Sequence, residues 1–292
     1  MGIDKKRKRK KLFVHIQGRL GNQLFIYFAA KYFEEHHCKK IIFISDHSNR
    51  LHKLGIKNNS QELVIPKVLF KVTVFGLSKI SKFQFFFRYI YFCKEIGYEN
   101  LNKQIDEIKF ISGYFQTFHY AENSSFAQEQ IQQARYVLQK KFGYDNDIIS
   151  KNALAIHVRR GDYLLVQNSY FGIISESYYL RSIRKMINSY DIKEIYIFSD
   201  SPISKNLENQ IKKNFPSLVL KDTSNLNSDI QTLAFLTCFT YHIISNSTYS
   251  WWGTYLSAAN KKVIAPKEWF KDRPTPNKLI PNSWDRMQNA WE

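Results

Sequence analysis

Ala153-Leu154-Ala155-Ile156-His157-Val158-Arg159-Arg160-Gly161-Asp162-Tyr163 runs from an unbroken apolar strand straight into two arginines, a glycine and an acid. An apolar run this short suits a strand covered on both faces, as in a parallel sheet. Glu194–Phe198, Leu218–Leu220, His242–Ser245 and Lys262–Ala265 repeat the pattern. Helix-length segments alternate with them: Ser177–Ser189, Ser204–Asn214, Asp229–Phe239 (with Ser228 as its N-cap) and Ser250–Ala259. Strand and helix in alternation predict a doubly wound α/β domain.

Upstream the same order begins again. Leu12–Gln17 reads as a strand, Gly18–Gly21 as a turn, Asn22–His37 as a helix and Lys40–Ser45 as a second strand. Ile108–Thr117 reads as a strand and Glu122–Lys141 as a helix, while residues 48–102 show no ordered pattern. Three divisions follow: a basic tail over 1–11, an N-terminal half over 12–145 and a C-terminal half over 146–292, with the seam near 142–152.

The 292 residues, 44% hydrophobic and 23% charged, have the composition of a globular protein. They are enough for one large domain or two ordinary ones. Lys and Arg number 43 against 25 Asp and Glu, a formal charge of +18 that points to anionic partners. Seven cations, Lys5–Lys11, follow Asp4 directly, and the eight residues together carry +6, a third of the excess. Such a segment suits a solvated tail, an anionic membrane leaflet or a nucleic-acid arm. Three scattered cysteines exclude a disulfide framework or zinc site. No run approaches the roughly 18 apolar residues of a membrane span, and the N-terminus lacks a signal-peptide pattern.

In open α/β sheets ligands bind beyond the carboxyl ends of strands, and this chain collects its polar clusters there. The guanidinium fork of Arg159 or Arg160 matches phosphate oxygens two at a time, although Asp162 also suits a structural pair with one of them. Gly18-Arg19-Leu20-Gly21-Asn22-Gln23 turns from strand to helix, where free N–H groups favour a phosphate; an ordinary turn would use the same residues. In Phe198-Ser199-Asp200-Ser201-Pro202, and at Asp229, an acid reads either as a helix cap or as a ligand contact. Ser245-Asn246-Ser247-Thr248-Tyr249-Ser250-Trp251-Trp252-Gly253 offers neutral donors for phosphates, with Tyr249 and Trp251 as an apolar wall. Adjacent tryptophans face different ways on a helix, so core packing claims at least one. HExxH, CxxC, GxSxG and Walker A patterns are missing. Asp145 and Asp147 have the spacing of a metal-holding acid pair, but in a turn-like seam.

Gly18–Phe25, Gly113-Tyr114-Phe115-Gln116, His157–Tyr163 and Ile244–Gly253, taken in order, resemble the α-1,2-fucosyltransferases of glycosyltransferase family 11. The resemblance implies a GT-B-type α/β enzyme, two Rossmann-like halves facing a cleft, with an acceptor-side N-terminal half and a GDP-fucose-binding C-terminal half. It implies inverting transfer of L-fucose from GDP-β-L-fucose to the 2-hydroxyl of a galactose, without a required metal or other cofactor. Arg159 matches the family's essential arginine, which holds the β-phosphate. His157 and Asp229 fall where guanine and ribose are contacted, and Ser247, Thr248 and Ser250 where phosphates are bound. Gly18, Asn22 and Gln23 line the cleft from the other half. Arg160, Asp162, Asp200 and Asn246 complete the expected set, with Asp162 the nearest candidate for a general base. Residues 48–102 show no family pattern, so the acceptor pocket stays open.

The expected setting is a bacterial cytoplasm, with the chain peripheral at the inner face of the membrane. There it would act on a galactose-terminated surface-polysaccharide precursor or lipid-linked glycan. Two other readings use the same residues. Another GT-B sugar-nucleotide transferase would share the phosphate logic. A basic nucleic-acid-binding protein would explain the charge, with aromatics as stacking platforms, but the cations are dispersed and no nucleic-acid motif appears, so no nucleic-acid partner is expected.

Overall fold

The computed structural model describes residues 9–292 apart from 47–49, 55–60, 83–87, 102–103, 145–150, 165–170, 222, 224–225, 227 and 258–259. The side chains of Lys53, Phe70, Asp162 and Leu164 also lie outside the description. Lys5–Lys8 and the Asp145/Asp147 pair therefore fall outside the described residues.

The chain forms two compact units, Met1–Gln130 with Pro276–Leu279, and Ile131–Thr275 with Ile280–Glu292. Their parting falls within a helix, upstream of the seam read from the sequence. In the first unit, β1 (Lys10–His15), β2 (Lys39–Ser45), β3 (Gln61–Val64), β4 (Ile90–Phe92) and β5 (Phe110–Ser112) form one sheet in the order β3-β2-β1-β5-β4. Every pairing in it is parallel. The helices are α1 (Leu20–His36), α2 (Lys67–Ile80) and α3 (His119–Glu122), with α4 (Ser125–Phe142) passing from this unit into the second. The unpatterned stretch 48–102 thus supplies β3, α2 and β4.

The basic tail is shorter than expected. Lys10 and Lys11 belong to β1, in register with Lys39 and Lys40. Lys39 is 1% exposed, and a buried ammonium needs partners. Its Nζ donates to the carbonyls of Asp106 (2.9 Å) and Ile108 (3.4 Å).

In the second unit, β6 (Ala153–Val158), β7 (Glu194–Ser199), β8 (Val219–Lys221), β9 (Tyr241–Ile243), β10 (Lys262–Pro266) and β11 (Asp285–Met287) run β11-β10-β9-β6-β7-β8, all parallel. This is the doubly wound order, reversing between β6 and β9. The helices are α5 (Glu176–Ser189), α6 (Lys205–Asn214), α7 (Asp229–Leu236) and α8 (Thr248–Tyr255). All six residues of β6 are buried, which is why it reads as an uninterrupted apolar run. Ser228 caps α7 by accepting from the Gln231 N–H, and Ser204 caps α6 through Leu207. Both units are thus Rossmann-like α/β, as the sequence predicts for its two halves.

Trp251 and Trp252 are both core residues at 0% exposure. Trp251 stacks on Tyr255 with centroids 4.5 Å apart. The expected ligand wall from Trp251 is therefore corrected: packing claims both indoles, because α8 is short and buried on nearly every side. Among the described residues, no helix is long and apolar enough to cross a membrane.

Candidate functional site

Strand register builds the centre of the second unit. Val158 pairs with Ser199, so the next residues on the two strands, Arg159 and Asp200, emerge side by side. Arg159 Nη1 lies 2.8 Å from Asp200 Oδ2, with both side chains largely buried. Asp200 Oδ1 accepts from the backbone N–H groups of Arg160 (2.9 Å) and Gly161 (3.1 Å). One carboxylate thus closes the loop after β6 and aims its arginine. A β-carbon on Gly161 would stand 2.3 Å from Asp200 Oδ2, so glycine is required for this approach. The Asp162 side chain, expected as a partner for one of the two arginines, lies outside the described residues; the carboxylate observed at Arg159 is Asp200, from the neighbouring strand.

The Arg159 guanidinium also lies over the Tyr163 ring, 5.2 Å from its centroid. Burial pushes the Tyr179 phenol above its usual range, opposed by a hydrogen bond from the Arg159 backbone. Arg160 points elsewhere. It makes a two-pronged pair with Glu292, at 3.0 and 2.7 Å, and is committed to holding the C-terminal segment. Tyr163 closes the His157–Tyr163 motif, although its local pattern assigns it no role; Tyr179 and Glu292 were not legible from the sequence, since nothing in their local pattern marks them.

Across the reversal point, His157 Nδ1 and Ser245 Oγ are 3.1 Å apart. Burial, with the Arg159 cation adding to it, lowers the His157 pKa to about 4, against a smaller opposing effect of Asp200. The imidazole is neutral at pH 7. Asn246 Nδ2 donates to the carbonyls of Phe171 (2.7 Å), Gly172 (3.2 Å) and Trp269 (3.2 Å), so its amide staples its own loop to two others. Ser250 Oγ donates to the Ser247 carbonyl at 3.0 Å. Ser247 is the N-cap residue of α8 yet makes no capping bond with its hydroxyl. The Ser247 and Thr248 hydroxyls stand at the helix N-terminus, where N–H groups and the macrodipole favour an anion. Asp229 opens α7, and its carbonyl accepts from the Tyr249 hydroxyl. Arg159, His157, Ser247 and Thr248 therefore come together at the carboxyl end of the sheet; Arg160 and Asn246 serve the scaffold.

The first unit repeats the device at its own reversal point, between β1 and β5. His15, the last residue of β1, places Nδ1 2.8 Å from Ser112 Oγ, and burial lowers its pKa to about 4 against the charge of Asp46. Gly18 has φ +75°, open to glycine and strained for other residues, and a β-carbon there would meet Asn22 Nδ2 at 2.5 Å. Gln23 is 0% exposed: Nε2 donates to the Gly18 carbonyl (3.0 Å) and Oε1 accepts from the Arg50 N–H (2.8 Å). Gln23 therefore builds the turn rather than lining an opening. Asn22 Oδ1 accepts from Gln116 Nε2 at 3.0 Å. The sequence signal for His15 is its place: it ends its strand as His157 approaches the end of the equivalent one.

Both histidines make stability pH-dependent with a definite sign. An unfolded histidine protonates near pH 6.5, whereas these stay neutral until about pH 4. The unfolded chain therefore binds more protons between those values, and stability falls as pH drops from 6.5 to 4, by up to about 3 kcal/mol per histidine. We expect the thermal midpoint to fall across that window, and the His157→Gln variant to show a shallower decline. A midpoint unchanged from pH 7 to pH 4.5 would contradict the burial argument.

The family model for glycosyl transferase family 11 matches residues 5–284. Two Escherichia coli proteins are similar in sequence. The O-antigen biosynthesis glycosyltransferase WbnK is 31% identical over 136 residues, 46% of this chain and 44% of that one. An alpha-1,2-colitosyltransferase is 26% identical over 294 residues, 94% and 96% of the two chains. The chain thus aligns with less than half of WbnK and with nearly all of the colitosyltransferase. Among solved structures, the E. coli ADP-heptose lps heptosyltransferase II aligns with a TM-score of 0.47 and 9% identity, over 95% of this chain and 90% of that one; the fold assignment rests on the two sheets themselves. With the family model covering nearly its whole length and its motifs gathered at the ends of parallel strands, the chain belongs to glycosyl transferase family 11 and is a glycosyltransferase.

Proposed function

We propose that the protein transfers L-fucose from GDP-β-L-fucose, with inversion, to the 2-hydroxyl of a terminal galactose, forming an α-1,2 linkage. The observation that carries this reading is Arg159, aimed by Asp200 at the carboxyl end of β6, the strand next to β9, whose following loop leads into the N-terminus of α8. As the bond between the fucose anomeric carbon and the diphosphate oxygen breaks, negative charge grows on the departing GDP. Arg159, with the Ser247 and Thr248 hydroxyls and the α8 N–H groups, meets that charge; preorganised donors of this kind need no reorganisation during the reaction. The acceptor oxygen attacks the opposite face of the sugar and gives up its proton to a base, for which Asp162 is our candidate. His157 and Asp229 are assigned to guanine and ribose, and Gly18 and Asn22 to donor binding. Arg160, Asp200, Asn246 and Gln23 are assigned to positioning. No metal is assigned a role.

The proposed acceptor is a galactose-terminated oligosaccharide or lipid-linked glycan at the inner face of a bacterial cytoplasmic membrane. Lys5–Lys11 are proposed to draw the protein to that anionic surface.

The match to a colitosyltransferase favours one second reading, transfer of colitose, the 3-deoxy counterpart of L-fucose. Release of GDP from GDP-fucose and GDP-colitose, with UDP-sugars as controls, separates the two. The assay uses lactose or Gal-β1,3-GalNAc as acceptor, in EDTA. We expect acceptor-dependent turnover of GDP-fucose that survives EDTA. Turnover confined to GDP-colitose would replace the donor; turnover that EDTA abolishes would overturn the metal-free account.

A further inference from the structure

We infer that α2 is a docking helix that seats its outer face in the headgroup layer of an anionic phospholipid bilayer. Eight of its 14 residues are apolar, a content that ordinarily sends a helix into a core. Here much of it faces solvent: Val68 is 78% exposed, Val72 and Phe75 each 63%, and Leu69 56%. Val68, Val72 and Phe75 are spaced i, i+4, i+7 and so form one stripe. A β-carbon on neighbouring Gly76 would meet nothing within 4 Å. The edge strand that leads into the helix adds exposed Leu63 and Val64. Large apolar patches of this kind on a folded surface mark a binding face.

The charge identifies the occupant. Between Leu63 and Lys94 the chain carries 6 Lys and Arg and no Asp or Glu. Lys67, Lys71, Lys79 and Lys82 border the stripe in sequence, and Lys79 Nζ lies 5.1 Å above the Phe75 ring. Lysines around an apolar stripe are the composition of an interfacial helix, with the rings and branched chains below the headgroups and the ammonium groups among the phosphates. A second copy would instead bring two cationic faces together, in a chain already at +18. An anionic bilayer satisfies the apolar and the cationic features at once. These residues are distinct in sequence from the basic tail.

The test uses the full-length protein with vesicles of phosphatidylethanolamine and phosphatidylglycerol, and of neutral phosphatidylcholine. We expect Val68→Ser/Val72→Ser/Phe75→Ser to bind the anionic vesicles on the order of tenfold or more weakly than wild type. Its thermal midpoint should be unchanged, because the replaced side chains are solvent-exposed. In the Phe75→Trp variant, brominated anionic lipid should quench fluorescence beyond the wild-type level. Unaltered vesicle binding of the triple variant, or no added quenching, would overturn the proposal in favour of tail-driven adsorption. A wild-type dimer that the triple variant dissolves, with vesicle binding intact, would assign the face to self-association. None of these readouts involves the sugar donor, so the docking helix and the transfer reaction fail separately.

Discussion

Arg159→Ala is expected to lower kcat for glycosyl transfer by about 10³-fold, the loss that follows removal of one preorganised charge-stabilising donor. The fold should survive. Asp200, the carboxylate left behind, still accepts from the N–H groups of Arg160 and Gly161, so truncation leaves no unpartnered buried charge. Arg159→Lys should recover little. A guanidinium can hold Asp200 with one edge and present another to phosphate oxygens, whereas an ammonium is a single point charge. Steady-state kinetics with GDP-fucose, alongside circular dichroism melts, measures both claims. An alanine variant within tenfold of wild-type kcat would remove Arg159 from the chemistry.

Asp200→Ala should give the second-largest effect, by a different route. It takes the ion-pair partner from Arg159 and the acceptor from two backbone N–H groups at once. We expect a loss of about 3 kcal/mol in stability, an order-of-magnitude figure reduced for the partial exposure of the pair. The thermal midpoint would fall by roughly 6–12 °C in a unit of this size, and kcat by about 10²-fold as the arginine loses its aim. If Asp200 acts through Arg159, the double variant Arg159→Ala/Asp200→Ala should be no slower than Arg159→Ala alone. Additive losses would instead give Asp200 a part of its own. Gly161→Ala should move activity in the same direction, since its β-carbon would displace the carboxylate without removing its charge.

The sheet of the second unit was readable residue by residue because parallel strands are buried on both faces and appear as apolar runs. Ala153–Val158 matches β6 at both ends, and the Ser228 cap before α7 is where side-chain chemistry placed it. Residues 48–102 resisted the same reading. In α2, apolar residues are exposed at Val68, Leu69, Val72 and Phe75 and only half-buried at Val74 and Leu77, so the 3.6-residue contrast between faces is blurred.

The amino-acid sequence by itself determined the two α/β units, most of their strands and the loops in which the phosphate-seeking side chains would cluster, because hydrophobic periodicity records burial and motif spacing records which residues follow each strand. Only the tertiary structure decided which of those side chains are committed to one another. Asp200 takes Arg159, Glu292 takes Arg160, Asn246 staples its own loop to two others and Ser245 takes His157. Those pairings depend on strand order, on register across a sheet and on where distant loops and the C-terminal segment lie. A local pattern says which residues are buried and not which strand lies beside which.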